Sequence, residues 1–302
     1  MDPISDLAFF VLLARLGKLN ATAQALGVTP PTASKRLAAL EQRLGVRLVQ
    51  RTTRRISLTA EGEAYLADGA RLLDELQALE QTVAGARATP RGLLRVHGTL
   101  GFGRQQLAPA ISQFALAHPE VDVQLQLSDL PVNLVAQGLD VAVQFGALPD
   151  AQLTARRLAS NRRVLCAAPR YLKARGEPLR PADLAGHACI VLRENDDTFG
   201  TWHLQHSGRQ ETVKVRGRLS TNDGETALRW ALDGHGILLR SAWDAAPYLR
   251  SGRLRPVLPD WQPPSGDVTA VYPSRQNLSA RTRAFVDFLV AWFDKHPLPT
   301  WP

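Results

Sequence analysis

Cysteine is nearly absent: the 302-residue chain has two, Cys166 and Cys189, each inside a short apolar run (164–168 and 188–192). Two are too few for a disulfide-stapled scaffold, and lone thiols in such runs read as reduced and buried, a redox switch being the alternative. No stretch of eighteen apolar residues occurs, which argues against a membrane-spanning helix. The opening Met1–Asp6 has neither the basic start nor the apolar core of a secretory signal, so a cytoplasmic location is expected.

Catalytic constellations are missing too. The seven histidines are scattered without metal-ligand spacing, and the nearest pair, His203 and His206, reads as part of a solvent-facing loop. Gly98-Thr99-Leu100-Gly101-Phe102-Gly103 lies between a strand and a helix but departs from the G-x-G-x-x-G spacing of a dinucleotide site. Neither a metal, a cofactor nor an enzymatic activity is expected.

What the chain does have is positive charge at one end. Arg15, Lys18, Lys35, Arg36, Arg43, Arg47, Arg51, Arg54 and Arg55 face only Asp2, Asp6 and Glu41 in residues 1–60, so +6 of the net +8 sits there. A basic head on a near-neutral body is the charge distribution of a protein that binds a polyanion, since neutralised phosphates supply most of the affinity for nucleic acid.

The same segment has helical periodicity broken at glycines. Leu7, Phe10, Val11 and Ala14 predict a first helix with Asp6 as its cap; Asn20 caps a second over Ala21–Leu26, which Gly27 ends. Thr29 caps a third that starts on Pro30-Pro31 and buries Ala33, Leu37, Leu40 and Leu44. Two short helices around a Gly-centred turn predict a helix-turn-helix, with the second helix in the major groove. Thr29, Pro30, Pro31, Thr32, Ser34, Lys35 and Arg36 are its candidate DNA contacts. Val46–Val49 and Arg55–Leu58 predict a two-stranded wing whose tip carries Arg51, Thr52, Arg54 and Arg55 toward phosphates or the minor groove.

Ala21-Thr22-Ala23-Gln24-Ala25-Leu26-Gly27, followed by Ser34-Lys35-Arg36-Leu37 through Leu40-Glu41-Gln42-Arg43-Leu44-Gly45, then Arg47-Leu48-Val49-Gln50-Arg51-Thr52 and Leu58-Thr59-Ala60-Glu61-Gly62, resembles the LysR-type transcription regulators, and the likeness runs over essentially the whole chain. Where that family usually offers Gln-Pro and Ser-Arg on the recognition helix, this sequence has Pro30-Pro31 and Ser34-Lys35. It lacks the amide that would bond adenine twice and the guanidinium that would fork onto guanine.

Thr59 caps a long helix running to about Ala86, with a seam of Tyr65, Leu72, Leu76, Leu79 and Val83. The resemblance implies that this helix pairs with its twin in a homodimer, two dimers joining further; packing along its own effector domain is the alternative. Ala86–Gly92 marks a boundary. The domains expected are a winged helix-turn-helix at 1–59, a linker helix at 60–89 and an effector-binding domain at 90–302.

Beyond Gly92 short β-like runs alternate with helical ones: 93–97, a helix at 104–117, 121–127, 141–145, 164–168, 189–192, 268–272 and a last helix at 278–293, which is α/β order. The family resemblance implies the fold of periplasmic binding proteins, with lobe I at 92–162 and 267–295 and lobe II at 163–266. A small-molecule effector would bind between the lobes, at strand ends and helix N-termini. Thr99, Leu100, Gly101, Phe102, Ser128, Asp129, Phe145 and Gly146 are expected from lobe I. Arg193, Thr198, Phe199 and Asn222, within a loop 193–202 and a segment 221–223 that face the cleft, and Ile237 are expected from lobe II. Arg193 would fork onto a carboxylate, or else pair at the surface with Glu194, Asp196 or Asp197. Leu192-Arg193-Glu194-Asn195-Asp196-Asp197 and Arg240-Ser241-Ala242-Trp243-Asp244 resemble the branch that includes regulators of malate and tartrate catabolism, which implies a hydroxy-dicarboxylate. A two-lobed solute-binding protein or enzyme acting on a small anion is the competing reading, and a ligand-free architectural DNA-binding protein a further one.

Overall fold

The computed structural model describes residues 2–51, 56–83, 89–146, 153–193, 200–274 and 278–301, and its contacts divide the chain into Met1–Thr89 and Pro90–Pro302. In the first unit, helix α1 (Pro3–Leu16) begins at Pro3 and not at Leu7, because Asp2 is its cap: the Asp2 carboxylate accepts the Ile4 N–H at 3.1 Å and Pro3 needs no partner at the first position. Asp6, expected as the cap, is instead inside the helix and buried, where it accepts Arg36 Nε at 3.1 Å with Arg43 Nη2 at 3.8 Å. Helix α2 (Leu19–Ala25) has Lys18 at its cap position without a side-chain bond, so Asn20 does not cap it either. Gly27, at φ +65°, turns the chain into α3 (Pro30–Leu44), and Gly45, at φ +73°, ends that helix.

Phe9, Phe10, Leu13, Ala23, Ala33, Leu37, Leu40, Leu48 and Val49 form the core of this unit, the larger ones contributing roughly 2 kcal/mol apiece by burial. Strands β1 (Val49–Arg51) and β2 (Ile56–Leu58) pair antiparallel, Gln50 opposite Ser57. The first strand starts later than the apolar run from Val46 suggests. Glu41 of α3 accepts the N–H groups of Leu48 and Val49 at 2.9 and 3.1 Å, so that backbone is already satisfied away from the ladder.

Helix α4 (Ala60–Val83) is about 36 Å long at 1.5 Å per residue. Thr59 caps it, accepting the Gly62 N–H at 3.0 Å while donating to the Arg47 carbonyl at 2.7 Å. Its first turns are docked on the head: a Cβ on Gly62 would lie 2.0 Å from the Leu48 carbonyl oxygen, Gly69 abuts the Leu7 side chain, and Tyr65 meets Phe10 edge-on at 5.4 Å. Tyr65 thus packs within its own chain, whereas Leu72 and Leu79 are 50% and 56% exposed. Residues 84–86, expected to continue the helix, and the Val83 side chain lie outside what is described.

The second unit holds two five-stranded sheets. Lobe I orders β4 (Val121–Leu127), β3 (Gly92–Gly98), β5 (Val141–Phe145), β14 (Val268–Pro273) and β6 (Leu153–Ala159); β3, β4 and β5 are parallel, and β14 runs against β5 and β6. Helices α6 (Ala108–Ala117) and α10 (Ala280–Lys295) contribute Ala110, Phe114, Phe285, Leu289 and Phe293 to its core. Lobe II orders β11 (Ser220–Thr221), β8 (Cys189–Leu192), β12 (Ile237–Ser241), β7 (Arg163–Ala167) and β13 (Arg255–Pro256), with α7 (Pro169–Arg175), α8 (Gly224–Leu232) and α9 (Ala242–Arg250). The chain crosses between lobes after β6 and returns between β13 and β14.

Two segments differ from the sequence reading. The helix expected from Arg104 starts at α5 (Leu100–Phe102) and passes through a π-helical turn, Gly103–Leu107, before α6. The glycines there serve packing: a Cβ on Gly103 would lie 2.2 Å from the Leu127 side chain. The loop expected around His203 and His206 is a hairpin, β9 (Thr201–His206) against β10 (Arg209–Lys214). Residues three apart on a strand point to opposite faces, and His203 bonds the Thr212 hydroxyl while His206 donates to the Asp260 carbonyl.

The docking of α4 yields the first prediction. Gly62→Ala places a methyl group against a main-chain carbonyl that cannot swing away, and unfolding in denaturant should show a loss of about 3 kcal/mol. An unchanged midpoint would mean that α4 does not seat on the head this way.

Candidate functional site

The head presents one polar end of α3. Thr29, Pro30, Pro31, Thr32 and Lys35 are exposed and Ser34 is half-buried. Thr29 occupies the cap position, but its hydroxyl pairs with that of Thr32 at 2.8 Å and not with the backbone. Pro30 and Pro31 have no N–H to satisfy and the Ala33 N–H donates to the Thr29 carbonyl at 3.1 Å, so this end of the helix offers hydroxyls and the Lys35 ammonium in place of a row of backbone donors. Arg36 points the other way. Its guanidinium bonds Asp6 and Ser5 and lies 5.1 Å over the Phe9 ring, a structural tie between α3 and α1 that removes it from the DNA-facing set. Arg51 closes β1 opposite Ile56; Thr52, Arg54 and Arg55 lie outside the described residues.

In the second unit a cavity of about 510 Å³ opens between the lobes, lined by Asp129, Leu130 and Pro131 after β4 and by Arg193, Ser220, Thr221 and Asn222 from the ends of β8 and β11. Three of the expected residues, Asp129, Arg193 and Asn222, therefore come together on one wall or the other. Thr99, Leu100 and Gly101 stand at the helix start beside them: the Leu100 N–H donates to the Asp129 carboxylate at 2.9 Å. Ser128 accepts the Leu130 N–H at 3.0 Å and shapes that turn. Gly146, at φ +89°, donates to the Asp267 carbonyl where the chain returns to lobe I.

Phe102 and Ile237 do not face the cleft. Phe102 is 2% exposed, edge-on to Phe145 and Trp243 and stacked on Phe293; Ile237 is fully buried in lobe II. Phe145 packs with Phe102 against the lobe I core. Trp202, placed in the cleft loop by the sequence reading, is a core residue of lobe II on β9. Thr198 and Phe199, with the acidic neighbours of Arg193, fall outside the described residues.

Beside the cavity the lobes are joined by charge. Arg104 of the π-helical turn reaches Glu225 of α8 at 2.6 Å and Asp223 at 3.6 Å, and Gln105 donates to Glu225 at 2.8 Å. The Glu225 bond raises the Arg104 guanidinium still further above its ordinary range. Burial works to raise Asp223, yet the Thr226 hydroxyl and amide that it caps hold its carboxyl below the usual range. Deeper in, the Arg240 guanidinium bonds Asp244 at 2.6 Å, both buried, and burial pushes the Asp244 carboxyl up against the pull of Arg240. A Cβ on Gly224 would lie 2.1 Å from Arg240 Nη1, and one on Gly101 3.4 Å from Nη2, so glycines from both lobes close on that guanidinium. The sequence offered no signal for Arg104 with Glu225, because a pair so distant in the chain has no local pattern.

A second hollow of about 580 Å³ is bounded by lobe II alone, at the hairpin and residues 259–262. Its lining residues are all exposed. Among the described residues no group of three metal-ligating side chains occurs and no helix is long and apolar enough to cross a membrane.

A basic helix-turn-helix with a wing, a long helix, and a two-lobed α/β domain with an inter-lobe cavity define a ligand-responsive transcription regulator. Residues 4–63 match the bacterial regulatory helix-turn-helix of the lysR family and residues 87–294 the LysR substrate binding domain; the chain belongs to the LysR family of transcription regulators. It is 41% identical over 293 residues to the HTH-type transcriptional regulator DmlR of Escherichia coli K12, covering 97% of this chain and 95% of that one. It is 38% identical over 288 residues to the HTH-type transcriptional activator TtdR of Escherichia coli UTI89, covering 95% and 92%. Among solved structures, CrgA, a LysR-type transcriptional regulator from Neisseria meningitidis, aligns with a TM-score of 0.60 at 30% identity over 95% of this chain and 98% of that one.

Both thiols are buried, and burial pushes each up to about 12. The thiolate is the reactive form, so neither cysteine should react with an aromatic disulfide reagent at pH 8 until the protein unfolds. Since the folded state binds these protons more tightly than the unfolded one, their contribution to stability is full below about pH 9 and is lost as pH rises toward 12. Rapid labelling of the native protein would contradict this burial.

Proposed function

We propose that this regulator reads its operator with Thr29, Pro30, Pro31, Thr32, Ser34 and Lys35 of α3 in the major groove, with Arg51, Thr52, Arg54 and Arg55 of the wing on the backbone or in the minor groove. The exposed, uncapped start of α3 beside Lys35 supports this. Residues 1–59 form the DNA-binding head, 60–89 the linker and 90–302 the effector domain. Linker helices of two copies pair through Leu72, Leu76, Leu79 and Val83, Tyr65 being left to the head, so that two recognition helices meet half-sites about one turn of DNA apart. Dimers join further, and the protein works in the cytoplasm.

The effector is a small anion of the hydroxy-dicarboxylate class, held between the lobes. The observation that carries this is the cavity itself: it sits at strand ends of both lobes, with one guanidinium, Arg193, set among the hydroxyls of Ser220 and Thr221, the amide of Asn222 and the carboxylate of Asp129. Arg193 suits a carboxylate and Asp129 a hydroxyl donor. The relatives DmlR and TtdR and the resemblance at Leu192–Asp197 favour the same class.

A gel-shift titration against the DNA upstream of the gene, with and without malate and tartrate, tests both halves. Lys35→Ala should weaken specific binding and flatten the salt dependence by about one unit if Lys35 meets a phosphate. Arg193→Ala should leave ligand-free binding intact and abolish the response to acid. A shift as strong and as salt-sensitive in Lys35→Ala as in the parent would remove α3 from the interface.

A further inference from the structure

Arg104 stands where two demands on one cation meet. Among the described residues that line the inter-lobe cavity Arg193 is the only cation and Asp129 the only carboxylate. One guanidinium can fork onto one carboxylate; a ligand with two needs a second positive group. Arg104 is beside the cavity, close enough to Asp129 for that carboxylate to act on its charge, but it is already committed across the lobes to Glu225 at 2.6 Å and Asp223 at 3.6 Å. Arg104 thus acts with carboxylates of both lobes, and the Asp223 oxygen 3.6 Å from it is buried without a hydrogen bond of its own. The pair is also open to exchange, Arg104 being 44% and Glu225 36% exposed along their side chains. By contrast the deeper Arg240–Asp244 pair is enclosed, at 8% and 4%.

We propose that Arg104–Glu225 is a cross-lobe latch which the second carboxylate of a dicarboxylic ligand releases by taking Arg104 from Glu225. The latch makes ligand charge, and not only ligand shape, a determinant of how the lobes are held. An acid with one carboxylate occupies the cavity through Arg193 and leaves the latch closed; a diacid engages both arginines. The π-helical turn that carries Arg104 is the kind of local irregularity by which helices re-aim a functional side chain. This inference rests on the effector assignment made above.

The test compares malate with 2-hydroxybutyrate, which share a four-carbon chain and a hydroxyl but differ by one carboxylate, by calorimetry on the full-length protein. Glu225→Gln removes the competitor and should tighten malate by about three- to fivefold, the range of an exposed ion pair, without changing 2-hydroxybutyrate. Arg104→Ala should weaken malate toward the affinity of 2-hydroxybutyrate and again leave the latter unchanged. Malate affinity unmoved by Glu225→Gln, or both acids weakened alike by Arg104→Ala, overturns the release step. If neither acid binds the wild type, the effector assignment fails and the release step with it. The latch is then decided alone, by amide hydrogen exchange without ligand. Residues 100–107 should exchange faster in both single variants and recover in the charge-reversed double variant Arg104→Glu with Glu225→Arg. Equal exchange in all four proteins rejects the latch.

Discussion

The indole of Trp243 begins helix α9 of lobe II but is buried in the core of lobe I, edge-on to Phe102 at 5.6 Å. Most of what the effector domain can do depends on that exchange. An apolar side chain of one lobe seated in the other's core fixes a pivot, and the Ala242 N–H donating to the Arg162 carbonyl at 2.7 Å ties the crossing segment to the same place. Motion of the lobes must leave this contact intact, since exposing a packed aromatic cluster costs several kcal/mol. Away from the pivot the contacts are polar, and polar contacts between partly hydrated groups can be exchanged for ligand or water at little cost.

The gradient from apolar pivot to charged rim also sets the scale of regulation. Allosteric couplings typically amount to about 1–3 kcal/mol, and a ligand shifts an equilibrium only by its unequal affinity for the two states. An interface held wholly by aromatic packing would be too stable for a small acid to alter. One held wholly by exposed ion pairs would have no defined alternative arrangement. Arg240, enclosed by Gly101 and Gly224 and paired with Asp244, belongs with the pivot, since breaking that pair strands a buried charge.

Much of this arrangement was legible in the sequence. The runs at 121–127, 141–145 and 189–192 are strands with those bounds: the first alternates apolar and polar residues with a period of two, and the other two are largely apolar segments of five and four residues, too short for a helix. Gly27 and Gly45 mark their turns because both require a left-handed backbone. What local pattern could not show was direction and distance. Phe102 and Ile237 lie in segments that border the cleft, yet their side chains point into the cores. Arg36 looks like its exposed neighbour Lys35 until Asp6, thirty residues earlier, is brought beneath it. Asp6 is the cap expected for the first helix, but Asp2 takes that role by accepting the Ile4 N–H, and Asp6 is buried against two arginines.

The docking of α4 constrains how any signal reaches DNA. Gly62, Tyr65 and Gly69 seat the start of that helix on Leu48, Phe10 and Leu7, and Glu41 ties α3 to the wing through two backbone N–H groups. Among the described residues, the recognition helix, strand β1 and the first turns of α4 are thus tied to one another by packing and backbone hydrogen bonds, which opposes turning α3 alone. In the dimer proposed above, joined through Leu72, Leu76 and Leu79, the quantity left to regulate is the placement of one head relative to its twin. Since half-sites on DNA have fixed spacing, a change in that placement is paid either in lost contacts at one half-site or in bending the DNA to meet both. On the proposed mode of association, a change in how copies associate therefore acts on the operator through geometry.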